Sequence, residues 1–564
     1  MYIDIVPNRH SQPAILLREA WREQGKIKKR TIANLSGWPR EQVEALRRVL
    51  RGDYGAAAAA ELELERSLPH GAVAAVLGTI GKLGLDEVIS AKRCRERDLV
   101  VGMIAERLLH PCSKLATARL WSSCTLASEL GVGDADADAL YAAMDWLVSR
   151  QARIERKLAV RHLGEGRLVL YDATSSYYEG RTCPLAEWGH NRDGKKGKKI
   201  VVYGVLTDGE GRPVAVAVYG GSTGDPTTVP AQVEKLRGRF GLERVVLVGD
   251  RGMLAETRLS DLRSHPGLGW ITALRSVAIR ELVDSGSIQM SLFDERNLME
   301  ITSPDYPGER LIVCLNPLLR AERGRKREEL LRATEKELAK IALAVSRRKQ
   351  KVMRQDEIGL RVGKVLNRWK VGKHFILAIE DGRFAFRRAE AAIGAEAALD
   401  GLYVIRTSEP ESRLSAAEVV RSYKDLSAVE RLFRTLKGIE IKVRPIFHRD
   451  ANRVRAHIFI CLLAYYVEWH MRRALAPLLF DDEFPDRERD PVAPAQISDH
   501  AQKKKRRRQT SDGLPLHSFD TLLHELATLT RNTCRFPNSP SFTQLAKPTP
   551  LQAKAFELLG VCCQ

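Results

Sequence analysis

Three acidic side chains stand where chemistry on phosphate esters would need them. Asp172 closes the apolar run RLVLYD, Asp250 closes RVVLVGD, and Glu430 lies within YKDLSAVERLFRTLK at 423–437. Mg²⁺ is a hard cation that takes oxygen ligands and keeps several waters, so a few carboxylates plus the substrate's own phosphate oxygens can hold it. Two such ions about 4 Å apart can activate an attacking oxygen and stabilise a leaving one in an in-line displacement. Neither cysteine nor histidine is required. Each residue alone has a plainer reading: an Asp at the end of a strand is commonly a turn former, and charges on a helix face are commonly just solvated. The three in this order carry the case.

The elements that must position them can be read from periodicity. In 423–437, Val429, Leu432, Phe433 and Leu436 recur at helical spacing and form one apolar stripe. The stretch is expected to be a single helix. Tyr423, Glu430 and Lys437 then stack on one face, with Arg434 one turn beyond Glu430. RLVLYDATSSYYEG and RVVLVGDRGM are continuous apolar runs, the pattern of strands buried on both faces and ending in Asp172 and Asp250. Between them, KKIVVYGVLTDGEGRPVAVAVYGG gives two strands around the turn at Asp208–Gly211, and TTVPAQVEKLRGRF gives a helix. With ETRLSDLRSH as a helix and GWITALR as a strand, this is an α/β layer.

Composition narrows the substrate. The 564 residues carry 91 Lys and Arg against 71 Asp and Glu, a formal charge of +20, which suits nucleic acid or an anionic surface. The longest near-continuous apolar run, Ile458 to Val467, is half of what a membrane-spanning helix needs, and MYIDIVPNRH has no export-signal pattern. No membrane partner is expected, and the location expected is the cytoplasm. Nine cysteines without a C-x-x-C pair suggest neither a zinc site nor a disulfide framework. GHNRDGKKGKK at 189–199 lacks the order of a phosphate-binding P-loop, and no G-x-S-x-G elbow occurs. His448 and His457 are read as packing or phosphate-contact residues rather than metal ligands.

Outside the α/β layer, 14–33 reads as two strands around Gly25, followed by a basic helix opened by Pro39. Lys28, Lys29 and Arg30 make this a DNA-contacting module or, alternatively, a solvated basic face. The alanine run 56–60 is a linker or a helix start. The pattern from 61 to 160 is helical, either DNA-binding or plain scaffold. A long charged helix from Arg325 to about Lys351 sits among strand-like pieces in an inserted subdomain. LDGLYVIRTS at 399–408 returns to strand, and a packed helix follows Glu430. Beyond 480 the Pro-rich, charged sequence with KKKRRR at 503–508 reads as a solvated tail able to add DNA affinity.

The motifs DxTSxYxEG at 172, DRGM at 250 and Y-x6-E-x6-K at 423–437 resemble the DDE transposases of bacterial insertion sequences, in the superfamily named after the fourth insertion sequence. GKIKKRTIANL, HPCSKLATARLW and LDGLYVIRTS resemble its long-chain subgroup, and the likeness extends to about residue 475. The resemblance implies an α/β, ribonuclease-H-like catalytic domain with a strand-rich and helical insertion before the Glu, preceded by a mainly helical N-terminal region. It also implies catalytic, metal-holding roles for Asp172, Asp250 and Glu430. The family's Tyr and Lys fall on Tyr423 and Lys437; Leu426 replaces an Arg, so Arg434 and Lys437 become the cations expected beside the DNA strand.

The regions expected are a basic N-terminal hairpin and helix at 1–55, a helical DNA-binding region at 61–160 and a catalytic domain at 161–280 and 400–480. An insertion subdomain at 281–399 and a basic tail at 481–564 complete them. The activity expected is binding of the element's terminal inverted repeats, DNA cleavage, and joining of the 3′ ends to target DNA. It would use Mg²⁺, with Mn²⁺ able to substitute, in a nucleoid-associated homodimer. The alternative is a catalytically inactive repressor or scaffold derived from such an enzyme.

Overall fold

A hairpin turning at Gly25, whose φ is +77°, opens the chain as the sequence predicts. In the computed structural model it belongs to a three-stranded antiparallel sheet, β1 (Tyr2–Val6), β2 (Ala14–Glu23) and β3 (Lys26–Asn34), followed by the helix Arg40–Leu50. The structure describes residues 1–564 except 10, 11, 24, 53–61, 290–292, 295, 349–351, 485–489, 495, 538 and 564. The alanine run 56–60 therefore falls outside the described residues.

The stretch expected to be helical from 61 begins instead with a strand, β4 (Glu63–Pro69). Helices follow, notably Gly71–Lys82, Arg95–Leu109 and Ala137–His162. Their apolar residues belong to the same core as the central sheet. These helices are therefore one face of the main body rather than a separate domain.

The period change at 167 marks the first strand of the central sheet. Along the chain come β5 (Leu168–Tyr177), β6 (Ile200–Asp208), β7 (Pro213–Tyr219), β8 (Val245–Val248), β9 (Leu268–Ala273), β10 (Leu298–Ile301) and β11 (Arg310–Leu315). After the hairpin β12 (Phe375–Glu380) and β13 (Arg383–Arg388), β14 (Leu402–Thr407) rejoins it. The spatial order is β10-β11-β14-β9-β8-β5-β6-β7. β5 and β9 both lie parallel to β8, and the other pairings are antiparallel. Every residue of β6 is buried, which explains why it reads as an unbroken apolar run.

Two boundaries need correction. The insertion expected at 281–399 is smaller, because β10 and β11 extend the main sheet. What stands apart are the helices Pro317–Arg347 and Gln355–Trp369 with the β12–β13 hairpin, which share a core around Leu331, Leu338, Ile358 and Phe384. The expected tail is folded. Helices Asp499–Arg507, Phe519–Ala527 and Pro550–Leu559 and strands β15 (Thr530–Arg535) and β16 (Phe542–Leu545) follow 480, and β15 pairs with β4. Lys504, in the basic run, is buried, donating to the Ala476 carbonyl at 2.9 Å and pairing with Glu483 at 2.7 Å.

The helix Ala451–Leu475 is buried nearly all round, as an evenly apolar helix must be. It packs on helices from both ends of the chain and on β7. Among the described residues, no helix is long and apolar enough to cross a membrane.

Candidate active site

Strand register brings the two Asp residues together. Leu170 of β5 pairs with Val248 of β8 in parallel, and Asp172 and Asp250 each lie two residues further on, so both side chains leave the same face as neighbours. Asp250 stands beyond the end of β8, with its Oδ1 accepting from the Gly252 and Met253 amides at 3.0 and 2.6 Å. Asp172 departs from expectation, because it sits in mid-strand and β5 runs on to Tyr177. What ends near it is the pairing with β8.

Burial, and next the neighbouring Asp250, push the Asp172 carboxyl up to about 7. The Ala173 amide, donating to its Oδ1 at 2.7 Å, and Arg192 oppose the shift. Two carboxylates held this way favour sharing a cation over both standing ionised alone. Among the described residues, no three His, Cys, Asp or Glu form a ready-made metal cage. The oxygen donors present suit a hard divalent ion that keeps water and takes substrate oxygens as further ligands.

Glu430 is carried by Leu426–Lys437, whose buried stripe is Val429, Leu432, Phe433 and Leu436 as the spacing predicts. The single helix expected from Tyr423 is broken at Asp425: Tyr423 closes the helix Ala416–Lys424, and the next helix starts at Leu426. Tyr423 still faces the site. Burial, with Asp250, Glu430 and Asp172 around it, raises its hydroxyl to about 12, while Arg251 pulls it down. Leu426 packs against the core, as its apolar character requires.

The glutamate helix is held at both ends. Near its start Ala428 packs on the hairpin turn, where a Cβ on Gly211 would come within 2.5 Å of the Ala428 Cβ. At its end the Lys437 ammonium donates to Thr174 Oγ1 at 2.8 Å, the Ser175 carbonyl at 2.6 Å and Asp193 at 3.0 Å. The charge expected to meet a phosphate is thus occupied by protein oxygens on β5 and the 189–199 loop. Glu430 and Arg434 are exposed, and among the described residues their side chains have no hydrogen-bond or ion-pair partner.

Several neighbours escaped sequence reasoning. Arg192 donates to the Ala173 carbonyl and pairs with Asp225, which places both beside Asp172. Asp193, almost fully buried, pairs with Lys437 and with Arg444 at 2.5 Å. In the sequence the loop 189–199 reads as a stretch without P-loop order, and its basic composition is the available signal. Arg251 had the simpler signal of adjacency to Asp250.

Lys28, Lys29 and Arg30 lie far from this site in sequence, on exposed β3. Lys28 pairs with Glu23 at 2.8 Å and Arg30 with Glu19 at 3.0 Å, while Lys29 lies 5.9 Å from the Tyr2 ring centre.

Comparison with known proteins adds the following. A family described as transposase DDE domain matches residues 163–467, and the IS1634 family transposase N-terminal domain matches residues 3–61. No curated protein matches the chain. Among solved structures, a piggyBac transposase synaptic complex with hairpin DNA is similar at 10% identity and a TM-score of 0.34, over 81% of this chain and 76% of that one. A likeness at that score carries no weight here.

Proposed function

The chain belongs to the transposase DDE domain family, and from that premise we propose that Asp172, Asp250 and Glu430 are its catalytic carboxylates. It is a transposase, an enzyme that cuts and transfers DNA, and such domains generally work with divalent metal ions. The observation that carries the residue assignment is the register setting Asp172 and Asp250 side by side, with the Glu430 helix fixed to the Asp172 strand through Lys437. The strand order β7-β6-β5-β8-β9, three antiparallel strands followed by two parallel ones, supports a ribonuclease-H-like reading of the catalytic domain.

Asp172 and Asp250 would hold Mg²⁺, or Mn²⁺ in its place, with Glu430 completing the set. Bound there, the ion supplies Lewis-acid polarisation of the phosphate and an activated attacking oxygen, first water and then a 3′-hydroxyl. The chain's own part is positioning. Lys437 fixes the glutamate helix to β5, and Asp193 pairs with both Lys437 and Arg444 beneath it. Arg434, exposed one turn past Glu430, grips a phosphate of the strand being cut. The substrates in this reading are the terminal inverted repeats of the element and the target DNA, handled by a homodimer at the nucleoid. The test is excision of a short DNA bounded by the inverted repeats that flank the coding region: Mg²⁺-dependent breaks at both ends are expected, and intact ends would refute the reading.

Arg434 and Lys437 should separate by readout. Arg434→Ala is expected to slow strand transfer by about 1–3 kcal/mol in activation free energy, the size of a charge-assisted hydrogen bond, without changing the melting temperature. Lys437→Ala should slow transfer and also lower the melting temperature, because it releases the helix and leaves buried Asp193 with one cation, Arg444, and the Tyr177 amide. Equal melting temperatures for the two variants would contradict these roles.

The N-terminal module is proposed to contact end DNA. Replacing Lys28, Lys29 and Arg30 together by Ala should flatten the log–log salt dependence of end binding by about one unit per lost phosphate contact. Exposed pairs with Glu23 and Glu19 cost little to break, so they do not withhold Lys28 and Arg30 from DNA. An unchanged slope would show that these side chains face solvent in the complex.

A further inference from the structure

A cavity of about 530 Å³ lies where the 111–114 segment meets residues 442–457. Arg107, Lys114, Lys442, Arg444, Arg449 and Arg453 line it, and Asp450 is the one carboxylate among the residues lining it. Asp450 is already engaged, capping the helix Ala451–Leu475 through the Asn452 and Arg453 amides at 2.7 and 3.1 Å. Glu106 stands nearby on the Arg107 helix, 3.7 Å from His110, and its charge opposes the lowering of Lys114 without contacting the ammonium.

Lys114 is 3% exposed, and among the described residues its ammonium has no hydrogen-bond or ion-pair partner. Arg107, also buried, has carbonyls for partners: Cys112 at 2.8 Å and Ile441 and Lys442 at 3.4 Å each. His457 gives Nε2 to the Val443 carbonyl at 2.9 Å and leaves Nδ1 buried without a partner. Taking a charge out of water without a counter-charge is costly, and proteins that do so generally pair the group or keep it for a ligand. Burial, then Arg107, lowers Lys114 to about 7, and burial with Lys114 and Arg107 lowers His448 to about 4. The charge of an arriving anion would oppose both shifts.

We propose that this cavity is a phosphate-binding site, with Lys114 and Arg107 at its floor and Lys442 and Arg449 at its mouth, and that in the working enzyme it takes a phosphate of the DNA strand. The link to DNA rests on the transposase reading and on location. Arg444 lines the cavity, donates through Nε to the Lys437 carbonyl at 3.0 Å, and pairs with Asp193. The cavity therefore abuts the far end of the glutamate helix, next to the proposed chemistry but outside its carboxylates. Arg and Lys together match a phosphate well, one by forked donors and the other as a point charge.

Calorimetric titration of the full chain with inorganic phosphate, without DNA, tests the cavity independently of catalysis. Wild type should bind, and Lys114→Met and Arg449→Ala should each weaken binding at least tenfold. Arg449 is exposed, so its variant remains informative if Lys114→Met fails to fold. Lys114→Met should unfold at the same temperature as wild type or higher, because an unpaired buried charge is removed; a merely structural lysine would give a lower one. End duplexes carrying a single neutral methylphosphonate, or a 5′-hydroxyl in place of a 5′-phosphate, then separate an internal from a terminal DNA phosphate. One such change should weaken wild type tenfold and leave Arg449→Ala unaffected. No binding of inorganic phosphate would overturn the cavity assignment. Binding of inorganic phosphate with identical interference patterns in wild type and Arg449→Ala would overturn its use by DNA and leave the transposase reading standing.

Discussion

Asp172→Asn, Asp250→Asn and Glu430→Gln are each expected to lower end cleavage and strand joining at least about 10³-fold, about 4 kcal/mol of activation free energy, while end binding changes little. The substitutions are mild for the fold. Asn at 172 can still accept from the Ala173 amide, and Asn at 250 can still accept from the Gly252 and Met253 amides. Glu430 is exposed and has no side-chain partner among the described residues, so Gln there removes no protein contact. What each change removes is negative charge at the proposed cation site. Asn at 172 also imitates the protonated carboxyl that Asp172 favours below about pH 7. DNA affinity comes mainly from cations on phosphates, which are untouched. Gel-shift and cleavage assays on the same end duplex separate the two quantities. Near-wild-type cleavage by any of the three variants would remove that residue from the site.

A chain ending at residue 480 is expected not to fold. Leu522, Leu526, Leu551, Phe556 and Leu559 are buried in the main core. At about 2 kcal/mol each they amount to about 10 kcal/mol, comparable to the whole net stability of a typical domain, about 5–15 kcal/mol. Their loss also uncovers the Gly71–Lys82 helix and strips β4 of its partner β15. The shortened chain should show no cooperative denaturant transition. An unchanged midpoint would mean that 481–564 is the dispensable appendage its composition suggests.

The contrast between these two cases marks what the sequence discloses. The strands that carry or lead to Asp172 and Asp250 were legible because strands buried on both faces read as continuous apolar runs, although the end of the run at Asp172 is not the end of its strand. The apolar stripe of the glutamate helix was legible for the same local reason. The break at Asp425 was not, since the helical spacing of side chains continues across it. Nor was the role of Lys437, which depends on Asp193 folding back from a loop more than two hundred residues earlier in the chain. Pairings such as β4 with β15, or β11 with β14, join segments far apart, and nothing in either segment names its partner. FDTLLHELA, the helix at 519–527, shows a clear apolar face, but the charged and Pro-rich sequence before it made the whole region read as solvated.

The central claim is that Asp172 and Asp250, joined by Glu430, form one divalent-cation site. Mn²⁺ binding to the full chain, followed by electron paramagnetic resonance in wild type and in the Asp172→Asn, Asp250→Asn double variant, tests it most directly. The account predicts bound Mn²⁺ in wild type that Mg²⁺ displaces, and its loss in the double variant while the fold persists. Equal Mn²⁺ binding by the two proteins would contradict it.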